Sequence, residues 1–162
     1  MREIAKGDIL AVDRGPYLHY AVYVGNGEVI HYAGERGDFK GEKYIHQAPM
    51  AEFLRENNEY FVLEFSDTKP KKTSFSEAVK QVFHGEVFPL LHSLRREKAY
   101  HLYSPEETVM RAKSRLGERE YNLVTKNCEH FAIWCKTGVS ESYQVNAVLE
   151  QLGKILIFKD ES

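Results

Sequence analysis

The stretch that most limits how this chain can fold runs from residue 17 to residue 33. Two segments rich in Tyr, Val and Ile, 17–24 and 28–33, flank Gly25-Asn26-Gly27. Aromatic and β-branched side chains suit the pleated surface of a strand, and glycine with asparagine supplies the backbone freedom of a tight turn. The stretch reads as an antiparallel hairpin. Residues 7–12 read as a strand before it, set off by the turn Arg14-Gly15-Pro16.

Further along, a polar loop spans 34–41, a short strand 43–47, a short helix 49–56 stopped at Asn57-Asn58, and a strand 60–65. A charged connector (67–72) leads to a helix over 75–83, signalled by Ser74 and Glu77 as a capping box. Residues 85–102 mix apolar side chains with Arg95, Arg96 and Lys98. Ser104-Pro105-Glu106-Glu107 is a helix start with Ser at the cap, Pro at the first position and Glu at the third. That helix should end near Leu116-Gly117, and a last one should occupy 141–152. Strands early and helices late give one α+β domain over 1–162, a small antiparallel sheet packed against helices.

The hairpin carries two histidines, His19 and His31. A two-residue loop would put them on opposite faces of the sheet. With the three-residue loop Gly25-Asn26-Gly27, Val24 faces Glu28 and His31 faces Ala21. His19 then becomes the diagonal, same-face neighbour of His31, with Cβ atoms about 7–8 Å apart. Two imidazoles at that range can share a proton. His46, His84, His92 and His101 lie in weakly patterned segments and read as solvated surface. His130 follows Cys128 by two positions and points away from it on a helix.

A base needs a nucleophile, and Asn127-Cys128-Glu129-His130-Phe131 supplies a candidate. Asn127 is a favoured helix cap, residues 131–135 continue apolar, and Gly138 is a stop signal. Cys128 then sits in the first turn, where unpaired N–H groups and the helix dipole favour a thiolate. Its backbone N–H is the natural oxyanion donor. The plainer alternative is a buried, inert thiol. Cys135, two turns on, reads as core; about 10 Å of helix separates the two cysteines and forbids a bridge.

Composition removes other classes. A net charge of −2 argues against a nucleic-acid binder. Two cysteines, no zinc-finger spacing and no signal peptide point to a reducing, cytoplasmic setting. No run of eighteen apolar residues exists; the nearest, Ile155 to Phe158, is far too short to span a membrane.

The motifs Asn-Cys-Glu-His-Phe at 127–131, His-Tyr-Ala-Val-Tyr-Val-Gly at 19–25 and Val-Ile-His-Tyr-Ala at 29–33 together resemble the lecithin:retinol acyltransferase-like family. That family includes HRAS-like suppressor phospholipases/acyltransferases and is a circularly permuted branch of the NlpC/P60 papain-like thiol hydrolases. The likeness covers roughly 6–138, with nothing matched over 66–103. It implies Cys128 as nucleophile, His19 as base and His31 as orienting histidine. It also implies a phospholipid acyl donor, a cysteine thioester and no metal or organic cofactor. Vertebrate members usually carry a hydrophobic C-terminal anchor, and none is expected from this sequence. Transient contact with a membrane surface would fall to 34–41 or 87–98. Rival readings are a thiol peptidase or amidase, a non-catalytic domain of the same fold, and a zinc site made of Cys128, His19 and His31.

Overall fold

The computed structural model describes residues 2–38, 40–65, 101–119, 128–139, 145, 148–149 and 154–160. Six strands form one antiparallel sheet: β1 (Ile9–Asp13), β2 (Leu18–Gly25), β3 (Glu28–Gly34), β4 (Lys43–Pro49), β5 (Glu59–Glu64) and β6 (Lys154–Lys159), in the order β4-β3-β2-β1-β5-β6. Three helices are described: α1 (Met50–Leu54), α2 (Pro105–Ser114) and α3 (Cys128–Thr137). The α+β class and the antiparallel sheet are as the sequence led us to expect.

Strand alternation divides the core between two faces. Ile9, Ala11, Tyr20, Val22, Ile30, Tyr32 and Ile45 pack with Phe131, Ala132 and Cys135 of α3. Leu10, Val12, Ala21, Val29 and Val62 pack with Phe53 and Leu54 of α1. The sheet is therefore covered on both sides, which is why β1 is apolar without alternation.

Helix α2 begins on the expected capping box, with Ser104 and Glu107 each closing the other's backbone N–H. It fixes the far end of α3. The guanidinium of Arg111 donates to the carbonyls of Trp134 (2.9 Å) and Cys135 (3.2 Å) and lies between the rings of Tyr103 and Trp134. A cation there satisfies the last carbonyls and the negative end of the helix dipole. Gly138, at φ 75°, ends the helix as its sequence position suggested.

The hairpin turn differs from the expected three-residue loop. Gly25 pairs with Glu28, so the turn is Asn26-Gly27, with positive φ at both positions. Asn-Gly suits that twist, because neither residue is strongly penalised in left-handed backbone. The register then shifts between Tyr23 and Gly25, and Val22 pairs with Ile30. One extra residue in β2 thus restores the same-face relation of His19 and His31.

Two further differences concern the sheet edges. Residues 155–158, read as a short apolar run and no more, lie in β6, paired to β5 along its whole length. His46, read as surface, lies in β4 directly across from His31. The expected helix at 75–83, the mixed segment up to residue 100 and the Asn127 cap lie outside the described residues. Of the expected helix at 141–152, Val145, Val148 and Leu149 are described and helical. No helix among the described residues is long and apolar enough to cross a membrane.

The loop after β3 folds back on itself through bridges Gly34↔Gly37 and Gly37↔Lys40, which carry Asp38 inward. Gly34 is at the crossing point: a Cβ there would lie 2.2 Å from the carbonyl oxygen of Lys40 and 2.4 Å from that of Gly37. Both obstacles are backbone. Gly34→Ala is expected to cost about 1–3 kcal/mol in urea denaturation, with the loop displaced. A change below about 0.5 kcal/mol would show that the loop opens freely.

Candidate active site

The ladder between β2 and β3 runs from Gly25↔Glu28 to Val22↔Ile30, whereas β1 stays paired to β2 as far as Asp13↔Leu18. Beyond Val22 the two strands are joined by side chains. His19 Nε2 and His31 Nδ1 stand 2.9 Å apart, with both rings about 1% exposed and packed against Phe53. The bond extends outward. His31 Nε2 lies 3.2 Å from His46 Nε2, and His46 Nδ1 lies 3.1 Å from the carbonyl oxygen of Tyr44.

A carbonyl only accepts, and the Tyr44 carbonyl, at 3.1 Å, lies nearer to His46 than the Glu52 carboxylate does to its Nε2 (3.4 Å), which favours the following tautomers when each ring holds one proton. His46 carries its proton on Nδ1 and accepts at Nε2. His31 therefore donates from Nε2 and accepts at Nδ1. His19 donates from Nε2, leaving its Nδ1 as the basic nitrogen. Burial keeps both inner rings neutral: it lowers His19 to about 4 and His31 well below its usual value, the latter helped by its histidine neighbours.

Asp38 closes the inner side. Its Oδ1 is 3.7 Å from His19 Nε2, Arg14 Nε donates to Oδ2 at 2.8 Å, Tyr17 Oη donates to the same oxygen at 2.6 Å, and Arg55 Nη2 reaches Oδ1 at 3.0 Å. Arg14 also donates to the carbonyls of Phe53 and Leu54, which ties the cluster to α1. Burial alone would raise the Asp38 carboxyl; the hydrogen bond from Arg14, the neighbouring His19 and the Tyr17 hydroxyl hold it down at about 2.

Cys128 opens α3 and reaches the backbone of the strand that carries His19. Its thiol donates weakly to the carbonyl of Leu18 at 3.9 Å. The body of α3 packs on the Tyr20–Val22 face, and the imidazoles lie on the other. The sulfur thus meets β2 where its ladder with β3 has ended. Here the sequence expectation needs correcting. The helix terminus was expected to lower the thiol. Burial instead raises it to about 11, against the opposing pull of the Tyr20 backbone N–H. Removing solvent from a charge outweighs partial charges at a helix end. Cys135, as expected, is core and is raised further still.

The site therefore includes groups that sequence reasoning missed: Asp38, Arg14, Tyr17 and His46. His46 had a usable signal, since pairing 43–47 against the hairpin puts it opposite His31. Asp38 had none beyond its place in a glycine-bearing loop, which had been weighed for lipid contact instead. His101 is exposed against Tyr103, His130 is buried in α3, and His84 and His92 lie outside the described residues.

Comparison with known proteins gives consistent results. A family model described as lecithin retinol acyltransferase matches residues 2–141. The chain is 27% identical over 153 residues to human phospholipase A and acyltransferase 4, covering 94% of this chain and 81% of that protein. To human phospholipase A and acyltransferase 2 it is 28% identical over 148 residues, covering 91% and 79%. To bovine lecithin retinol acyltransferase it is 28% identical over 159 residues, covering 94% and 62%.

The Asp38 cluster predicts a specific acid response. A carboxyl held below its ordinary 3.8 stabilises the fold fully above that pH and loses its contribution as pH falls through about 2. Asp38→Asn should cost about 3 kcal/mol at pH 7, because two guanidinium groups lose their buried counter-charge. In urea titrations the penalty should shrink between pH 4 and pH 2. A penalty independent of pH would assign the loss to shape rather than charge.

Proposed function

The chain belongs to the lecithin retinol acyltransferase family, and from that membership and the geometry around His19 we propose that it transfers or hydrolyses acyl groups of glycerophospholipids through a thioester on Cys128. In this scheme His19 is the base and His31 holds it. The observation that carries the scheme is the 2.9 Å bond between His19 Nε2 and His31 Nδ1. With the outer ring fixed by a carbonyl, that bond leaves Nδ1 of His19 as the acceptor of a proton. The names of the relatives, phospholipase A and acyltransferase and lecithin retinol acyltransferase, supply the substrate class.

The thiol turns from the Leu18 carbonyl and gives its proton to His19 Nδ1 as sulfur attacks the ester carbonyl carbon. Negative charge collects on the former carbonyl oxygen, facing the Cys128 backbone N–H. The tetrahedral intermediate collapses, and the C–O bond to the glycerol breaks. The leaving alkoxide takes the proton from His19, and a lysophospholipid departs. Water, an amine, an alcohol or a second lysophospholipid then gives its proton to His19 and attacks the thioester; the C–S bond breaks, the acylated product leaves, and the Cys128 thiolate takes the proton back from His19. Asp38, 3.7 Å from His19, lowers the energy of the transient imidazolium.

The test is the mass of the intact protein after brief exposure to a labelled phosphatidylcholine, with and without an amine acceptor. A hydroxylamine-labile acyl adduct on Cys128, lost in Cys128→Ser and kept in Cys135→Ser, is the expected result. His19→Ala should fall at least about 100-fold in acylation at pH 7, and His31→Gln less, since an amide can still hold the ring. Full turnover by Cys128→Ser, or an adduct on Cys135, would overturn the scheme.

The raised thiol has its own signature. Below its pKa the thiolate fraction rises tenfold per pH unit, so alkylation of Cys128 by iodoacetamide in the free protein should climb continuously from pH 6 to pH 9. A plateau in that range would reveal a thiolate–imidazolium pair formed before substrate binds.

A further inference from the structure

At its outer end the imidazole chain meets a carboxylate. His46 Nε2 is 3.2 Å from His31 Nε2 and 3.4 Å from Glu52 Oε1, and the three ligand atoms lie within 4.8 Å of one another. Around a tetrahedral zinc ion with bonds of about 2.0–2.1 Å, ligand atoms stand about 3.3 Å apart. The His31–His46 and His46–Glu52 edges match that spacing; the third, His31–Glu52, is longer, within 4.8 Å, and closes only when the exposed Glu52 side chain turns inward. Two imidazoles and one carboxylate are also a donor set that zinc uses, with a position left for water.

The surroundings carry the assignment further. A metal-binding imidazole usually hydrogen-bonds through its other nitrogen, which fixes the ring. Both rings have such a partner: His46 Nδ1 on the Tyr44 carbonyl at 3.1 Å, and His31 Nδ1 on His19 Nε2 at 2.9 Å. Access differs along the row. The His31 side chain is buried, that of His46 is 13% exposed and that of Glu52 is 40% exposed. An ion can therefore enter past Glu52 without unfolding the core.

We propose that His31, His46 and Glu52 form a binding site for a zinc-like divalent ion, and that filling it switches off the neighbouring base. The switch follows from proton counting. Without metal, the 3.2 Å edge between His31 and His46 holds a proton, and the tautomer chain leaves His19 Nδ1 bare. The ion needs the lone pairs of both Nε2 atoms. His31 must then carry its single proton on Nδ1 and donate it to His19 Nε2. His19, now accepting at Nε2, carries its own proton on Nδ1. Each ring keeps one proton and none is released, but the nitrogen that would take the thiol proton is blocked. Asp38, 3.7 Å from His19 Nε2, resists this inversion, and the ion's charge opposes it. The binding site stands on its own geometry; the inhibitory consequence rests on His19 being the base.

The experiment separates the two. The purified protein is titrated with Co²⁺, read by the visible band of a tetrahedral site, and with Zn²⁺ against a chromophoric chelator. One ion per chain is expected, with Cys128→Ser unchanged and Glu52→Gln weakened at least about tenfold. Acyl transfer is then measured against free Zn²⁺. One equivalent should suppress wild-type turnover. Glu52→Gln, measured against its own metal-free turnover, should need at least tenfold more metal for the same fractional suppression. No binding, or equal affinity in Glu52→Gln, would overturn the site, and loss of binding in Cys128→Ser would relocate it to the thiol. Tight binding that leaves turnover intact would overturn the switch alone. A wild-type protein with no turnover even without metal would count against the acyl-transfer scheme, leaving the binding arms to decide the site.

Discussion

A strand has two faces, and a slip of one residue exchanges them. Everything assembled at the imidazole cluster depends on the β2–β3 hairpin closing with the right parity. The Asn26-Gly27 turn by itself has the wrong one. The extra residue in β2 between Tyr23 and Gly25 corrects it, and the ladder resumes at Tyr23↔Val29 and Val22↔Ile30. His19 and His31 then share one face with Ala21 and Val29, and Tyr20 and Val22 share the other with α3. The neighbouring ladder extends the consequence, because β3–β4 pairing sets His46 across from His31. Three imidazoles from three strands thus line up because one bulge sets the count.

Burial of that row has an electrostatic cost that the fold meets at a single point. Two rings about 1% exposed cannot hold charge at rest, and burial drives both to the neutral form. Asp38 is different: it stays ionised because Arg14, Arg55 and Tyr17 all donate to it. The loop that carries it closes only because Gly34 has no side chain. Stability and proposed chemistry are linked here, since the carboxylate that anchors Arg14 against α1 also faces His19. The thiol follows the same rule. Its helix position favours a thiolate, its burial opposes one, and burial is the stronger effect.

How much of this was legible beforehand depended on whether the signal was local. The capping box at Ser104, the stop at Gly138 and the hairpin are decided by neighbours in sequence, and each could be read. Strand β6 could not. Its run Ile155-Leu156-Ile157-Phe158 hides the period of two, because Ile155 and Ile157 are exposed although apolar. His46 and Asp38 acquire their roles from contacts far along the chain. His46 depends on β4 pairing with β3, and Asp38 on Arg14, 24 positions before it. The pair His19 and His31 was legible because parity turns a sequence count into a geometry. The turn was misjudged by one residue, and the bulge compensated.

A row of imidazoles differs from a single carboxylate as support for a base. A carboxylate beside the base fixes its tautomer and its charge together. In the proposed scheme the two tasks are divided. His31 fixes the tautomer and adds no negative charge, while Asp38, at 3.7 Å, supplies the charge without forming a hydrogen bond at that distance. In the proposed reaction this gives the proton taken by His19 a second place to go. Passing one proton from His19 to His31, and one from His31 to His46, moves the positive charge outward to His46, 3.4 Å from the Glu52 carboxylate and partly in solvent. Charge beside that carboxylate costs less than charge on a ring enclosed by the sheet and Phe53. The same outward path that lets a proton leave is the one by which a metal ion would enter. Glu52 can serve both because it lies at the end of the row, where water still reaches it.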